Sequence, residues 1–306
     1  MGDTLKGLIK FKPMKKIIIL LLIFSSQLFS QVESIGETIK LNKLKEHILI
    51  LASDSLEGRE VGQPGEFMAA EYMSNYFKDI GIPPYKDSTY YQKIPLEKRE
   101  LKTVNISVGD KRYEYKKDHY TYPNFSQTEI KTNNIVFLGY GIDTKNYSDY
   151  NTNVEGNVIM VFNGEPKDNN GNYIVSGGKE QSPESSYRFK LSKAKEKGVK
   201  AIFFVTENFK ENYNRVEHKI EHPGVSLLKK EEPIPFFYIN KEMAKDILGK
   251  HKIEKLKKKI SSKKTTINKK LKKTISITTK NNDTFFYGNN VLAYIEGADP
   301  VLKNEI

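Results

Sequence analysis

The chain of 306 residues contains no cysteine. That excludes disulfides, a thiol nucleophile and an anchor through a lipidated N-terminal cysteine, so stability must come from the core. Long apolar runs are almost missing too. The one present, Ile17 to Phe24, is too short to span a bilayer comfortably. There is no G-x-S-x-G, no Walker loop and no G-x-G-x-x-G, which removes the serine nucleophile elbow and the common nucleotide-binding fingerprints. Histidine is scarce, at five residues.

What is present begins with export chemistry. Lys15-Lys16, the apolar run and Ser25-Ser26-Gln27 read as a charged, an apolar and a cleavable region, with Ser30–Gln31 as the expected scissile bond. Residues 1–30 are set aside as a signal peptide with an upstream extension, and a bacterial periplasmic or secreted protein without a stable membrane anchor is expected. The net charge of +12 would ordinarily suggest a polyanionic partner. However, 13 lysines fall between Lys250 and Lys280, a run without the arginines and interleaved aromatics that nucleic-acid contacts use. It reads as a solvated face with a weak apolar stripe of Ile253, Leu256 and Ile260, and no nucleic-acid partner is expected.

The most specific stretch is Leu51 to Gly65, LASDSLEGREVGQPG. Upstream, Ile39, Leu41, Leu44, Ile48 and Leu51 recur at helical spacing. Downstream, Pro64-Gly65 opens a second helix with Ala69, Met73, Tyr76, Phe77 and Ile80 on one face, and Gly81 is placed to end it. Between them the turn carries Asp54, Glu57, Arg59 and Glu60.

Near residue 100 the pattern changes to short β-type runs. Val104 to Val108 and Arg112 to Tyr115 read as a hairpin around Gly109-Asp110. Ile135 to Leu138, Asn157 to Phe162, Val199 to Val205 and Ile234 to Ile239 read as buried strands. A helix over Tyr187–Lys197 makes a βαβ unit with parallel pairing. Pro166 to Pro183 reads as a loop, and Asn240 as the cap of a short helix ended by Gly249.

The segment LASDSLEGREVGQPG, with AAEY, FKDIGIPP, Tyr90-Tyr91-Gln92 and Ile94-Pro95-Leu96, resembles secreted zinc aminopeptidases of metallopeptidase family twenty-eight. The phrases NNIVFLGYGI, Asp149-Tyr150, VEGNVIMVFNGEP, KLSKAKEKGVKAIFFV and IPFFYINKEMAKDIL resemble the protease-associated domain inserted in such enzymes. The resemblance implies an α/β fold: N-terminal helices (31–100), a β-rich α/β protease-associated domain (101–288) and the first strand of a catalytic sheet (289–306). It implies an N-terminal fragment of an enzyme that removes N-terminal residues from peptide substrates with two zinc ions. Their ligands and general base are expected beyond Ile306, after the phrase NVLAYIEGADP, so this chain alone is expected to be inactive, with no catalytic or metal residues of its own. Val291 to Ile295 would then be a lone strand without partners. The resemblance also suggests Glu57 and Arg59 as residues of the cleft rim, against an Arg59 ion pair that fixes the loop.

HKIEH, with His218 and His222, formally satisfies H-x-x-E-H, but Pro223 biases His222 away from helical geometry, and a chance match in a loop is expected. His119 and His251 are expected at the surface among lysines, and His47 at a helix edge or facing solvent. The alternative reading is a non-catalytic exported protein that keeps the protease-associated domain for binding.

Overall fold

The computed structural model describes residues 39–85, 88–249 and 251–304. The expected signal segment, with Ser30 and Gln31, lies outside them. No helix among the described residues is long and apolar enough to cross a membrane. The protein is mixed α/β, with helices and two sheets. It divides into two compact units, residues 1–93 with 289–306, and residues 94–288.

The first unit is built from α1 (Leu41–Leu51), a 3₁₀ segment (Asp54–Arg59) and α2 (Pro64–Asp79). Pro64 occupies the first turn of α2, where its missing N–H costs nothing. At the other end Gly81 adopts φ 76°. There the Ile82 N–H donates to Phe77 O at 2.9 Å and the Gly81 N–H to Lys78 O at 3.1 Å, the paired bonds of a Schellman stop. Among the described residues the expected apolar faces are only partly covered: Leu51, Ala69, Met73 and Phe77 are half-buried. Leu41, Leu44 and Ile48 are exposed, α1 has no buried residue, and on α2 the buried positions are Gly65, Ala70 and Ser74 rather than Tyr76 or Ile80.

The second unit holds the core. Its six-stranded sheet runs β10-β5-β6-β7-β9-β3, where β3 is His119–Tyr120, β5 Ile135–Leu138, β6 Val158–Phe162, β7 Ala201–Val205, β9 Phe236–Ile239 and β10 Asn268–Leu271. The strands β5, β6, β7 and β9 are parallel neighbours, with β10 and β3 antiparallel at the edges. The sequences VIMVF, AIFFV and FFYI are apolar at nearly every position because a central parallel strand is covered on both faces. Helix α3 (Tyr187–Glu196) links β6 to β7, giving the expected βαβ unit.

Helix α4 (Phe209–Glu221) follows β7, and α5 (Lys241–Leu248) starts where Asn240 Oδ1 accepts the Met243 N–H at 2.8 Å. The lysine run has the expected solvated face and apolar stripe, carried on a helix and a strand. Helix α6 (Ile253–Lys263) buries Ile253, Leu256 and Ile260 and turns its lysines outward, and β10 follows.

A second sheet orders as β2-β1-β11-β4, with β8 (Ser226–Leu227) paired to β1. Here β1 is Tyr91–Val108, β2 Lys111–Tyr113, β4 Thr128–Thr132 and β11 Ile275–Val291. The β1–β2 hairpin closes over Gly109-Asp110, with Ile106 opposite Tyr113 and Val108 opposite Lys111. Strand β1 begins before the change expected near residue 100.

The segment after β11 is not lone. Within the first unit the Leu292 N–H donates to Tyr90 O at 2.7 Å, the Tyr294 N–H donates to Pro83 O at 3.0 Å, and Pro84 bridges Ala293. The sequence fragment Val291–Ile295 gave no sign of this partner, because residues 83–90 read locally as a proline-interrupted connection.

Candidate functional site

The turn between α1 and α2 is held from below. Leu56 is its one buried side chain, and Gly65 packs on it so closely that a Cβ there would fall 1.9 Å from Leu56 O. Only glycine permits this approach. The Gly62 N–H donates to Glu66 Oε2 at 2.6 Å, and the Asn289 N–H donates to Glu66 Oε1 at 2.6 Å. One carboxylate thus ties the turn, the start of α2 and the chain after Gly288. Above this base Glu57, Gly58 and Arg59 adopt φ 48°, 72° and 58°. Left-handed backbone at two successive non-glycine positions around a glycine is strained, and such strain concentrates at functional segments.

The side chains of Asp54, Glu57, Arg59 and Glu60 are exposed. They make no hydrogen bond or ion pair among the described residues. Among the described residues no ion pair of Arg59 fixes the loop, which is held by Leu56, Gly65 and Glu66. Glu57 and Arg59 remain free to meet something outside the first unit.

The histidines differ from expectation in two places. His119 is fully buried in β3, because β3 pairs with β9 and its ring lies 5.7 Å from that of Tyr115. Burial pushes its pKa down to about 4, its Nε2 lies 3.3 Å from Tyr113 O, and its Nδ1 has no partner. His218 lies in the last turn of α4, not in a loop; Phe209, Tyr213 and Ile220 bury one side of that helix. His222 is the C-cap with φ −123° and ψ 69°, out of helical geometry as Pro223 dictates. The two rings are 4.9 Å apart. His47 is half-buried against α2, its Nδ1 2.5 Å from Tyr72 Oη. Among the described residues no group of three or more His, Cys, Asp or Glu side chains could hold a metal ion.

The second unit carries a cavity of about 850 Å³ that the sequence reading did not identify. Asn163, Thr206 and Tyr238 place it at the carboxyl ends of β6, β7 and β9. One wall is the loop between β6 and α3. Glu165, buried at its start, accepts the N–H groups of Val175 at 2.7 Å, Ser176 at 2.9 Å and Ser182 at 2.7 Å, so a polar loop without regular structure keeps one shape. Beneath it, Lys190 is 1% exposed. Its Nζ donates to Gly164 O at 2.6 Å and Phe162 O at 3.3 Å, and burial lowers its pKa to about 7 against the pull of Asp149 and Glu165. The available signal was the loop itself: long structureless connections inside compact domains are usually functional.

No family model matches the chain. No curated protein matches it. Among solved structures, the chain is similar to that of a peptidase M28 precursor from Shewanella amazonensis SB2B, at 13% sequence identity and a TM-score of 0.33, over 82% of this chain and 52% of that one. The chain thus spans about half the length of that structure.

Proposed function

We propose that this chain is the N-terminal part of an exported, zinc-dependent aminopeptidase that removes N-terminal residues from peptides. Its metal ligands and general base would be supplied C-terminal to Ile306. The observation that carries the reading is the apolar face of α1: Leu41, at 76% exposed, stands with Leu44 and Ile48 in a row that none of the described residues of the first unit covers. A contiguous uncovered apolar stripe calls for a packing partner, and a catalytic α/β sheet is the partner that the LASDSLEGREVGQPG resemblance supplies. In that setting the strained turn, with Glu57 and Arg59 unpaired at its tip, would form part of the cleft rim. The chain's own contribution is positional, because Glu66, Leu56 and Gly65 hold the turn rigid while its charged tip stays free.

Two measurements test this. The DNA following codon 306 should encode, in some frame, an apolar strand followed by His-x-Asp. Residues 1–306 alone, supplied with zinc, should not hydrolyse aminoacyl anilides, whereas the chain extended through that downstream sequence should. Robust metal-dependent cleavage by residues 1–306 alone would overturn the proposal.

A further inference from the structure

We infer that the cavity at the carboxyl ends of β6, β7 and β9 is a binding site for a neutral saccharide. Its position is the first reason. Crevices outside the carboxyl ends of strands in open α/β sheets are where such folds take ligands. The second reason is that the cavity is built rather than left over. The loop 166–183 is held in place by the three N–H bonds to buried Glu165 and folded on itself by an antiparallel bridge between Lys167 and Tyr173.

The lining chemistry selects the ligand. The four charged groups of the wall, Glu165, Lys167, Glu207 and Lys257, sum to zero, and three of them are paired or saturated. Glu165 is saturated by backbone N–H groups, Lys257 pairs with Glu207, and Lys167 stands 4.4 Å over the Tyr173 ring. A polyanion such as a nucleotide would find one unpaired cation, Lys167 over the Tyr173 ring, beside the carboxylates of Glu165 and Glu207, and a cationic ligand no free carboxylate. A purely apolar ligand would desolvate Asn163 and Asn208 without giving them partners, which is costly.

Asn163 makes no side-chain hydrogen bond among the described residues, and Asn208, although it precedes α4, does not cap it. Both amides therefore offer donors and an acceptor to the cavity. The rings of Tyr173, Tyr187 and Tyr238 supply apolar surface edged by hydroxyls. Unpaired amides beside aromatic rings, with no net charge to offer, match a pyranose: its C–H faces pack on rings and its hydroxyls both donate and accept. This site lies wholly in the second unit and is independent of the peptidase reading.

The test uses the full chain on an array of neutral and anionic glycans, followed by calorimetric titration of each neutral hit. Asn163→Ala and Asn208→Ala remove no internal hydrogen bond, so both variants should keep the wild-type unfolding midpoint. The expected result is saturable one-site binding of a neutral oligosaccharide, weakened about threefold to tenfold by each variant. Tyr173→Ala should weaken it further. Failure of every neutral glycan to bind would overturn the inference, as would binding unchanged in both asparagine variants. Tight binding confined to anionic glycans, or to tryptic casein peptides titrated in parallel, would also overturn it.

Discussion

Asp149 closes over Gly139 so tightly that any Cβ at Gly139 would fall 2.4 Å from Asp149 Oδ1. The same carboxylate accepts the N–H groups of Tyr140 and Ile142, each at 3.1 Å, and the Tyr147 hydroxyl at 3.1 Å. The Gly-Tyr-Gly-Ile turn at the end of β5 is thus shaped by a side chain from the following loop. Gly139, at φ 51°, must be glycine for two reasons, conformation and space. Gly139→Ala should cost at least about 2 kcal/mol, and Asp149→Ala about 2–5 kcal/mol because it orphans two buried N–H groups. Urea unfolding midpoints measure both.

His119 makes stability depend on pH. Its folded pKa, held down to about 4 by burial, lies below the unfolded value of about 6.5. The unfolded chain therefore takes up this proton first as pH falls. The stability that His119 contributes is complete above about pH 6.5 and is lost as pH drops through 4, amounting to about 3 kcal/mol. His119→Phe, which also removes the unpaired Nδ1, should flatten the fall in urea midpoint between pH 7 and pH 4.5. An unchanged slope would refute the assignment.

Arg99 anchors the stretch before β9 to β1. Its Nε donates to Glu97 Oε2 at 3.0 Å, and its two terminal nitrogens reach Glu232 at 2.8 and 2.5 Å. Glu97 is 1% exposed, so removing its partner leaves an uncompensated buried charge. Arg99→Ala should cost about 3–5 kcal/mol, whereas Glu232→Ala, at the exposed end of the network, should cost about 1 kcal/mol or less. Thermal unfolding of the two variants separates these outcomes.

In the turn of the first unit, the base and the tip should respond differently. Gly65→Ala drives a methyl into Leu56 O and should loosen residues 51–65, seen as faster amide exchange there, at a cost of about 2 kcal/mol. Arg59→Gly relieves a left-handed backbone and should stabilise by up to about 1 kcal/mol. Arg59→Ala should leave folding nearly unchanged, since its side chain has no partner among the described residues. In the extended, active chain Arg59→Ala should lower kcat/KM. Full activity in that variant would remove Arg59 from the cleft rim.

Several parts of the fold were legible because their signals are local. Gly81 after a helical period, Gly109-Asp110 between alternating residues, and Asn240 before Met243 each act within a few residues of themselves. The apolar runs at β5, β6, β7 and β9 were equally plain. Helix α4 keeps Phe209, Tyr213, Val216 and Ile220 at helical spacing, but its polar surface and the Pro223 that follows make the segment resemble a loop. The strand at Thr128–Thr132 was missed because TEIKT alternates weakly and is only half-buried.

The sequence by itself determined the α/β class, the chain order of the four apolar core strands, and the turn whose resemblance suggests a peptidase. These follow from periodicity and turn chemistry, which need no distant partner. The tertiary structure decided which groups are buried and what faces them. Two lysines and an aspartate, Lys116-Lys117-Asp118, precede His119, yet pairing with β9 removes it from water. Glu165 became the anchor of a loop, and Asn163 a free amide at a cavity, only when β6, β7 and α4 came together. Burial depends on contacts between residues far apart in the chain, and no local pattern carries that information.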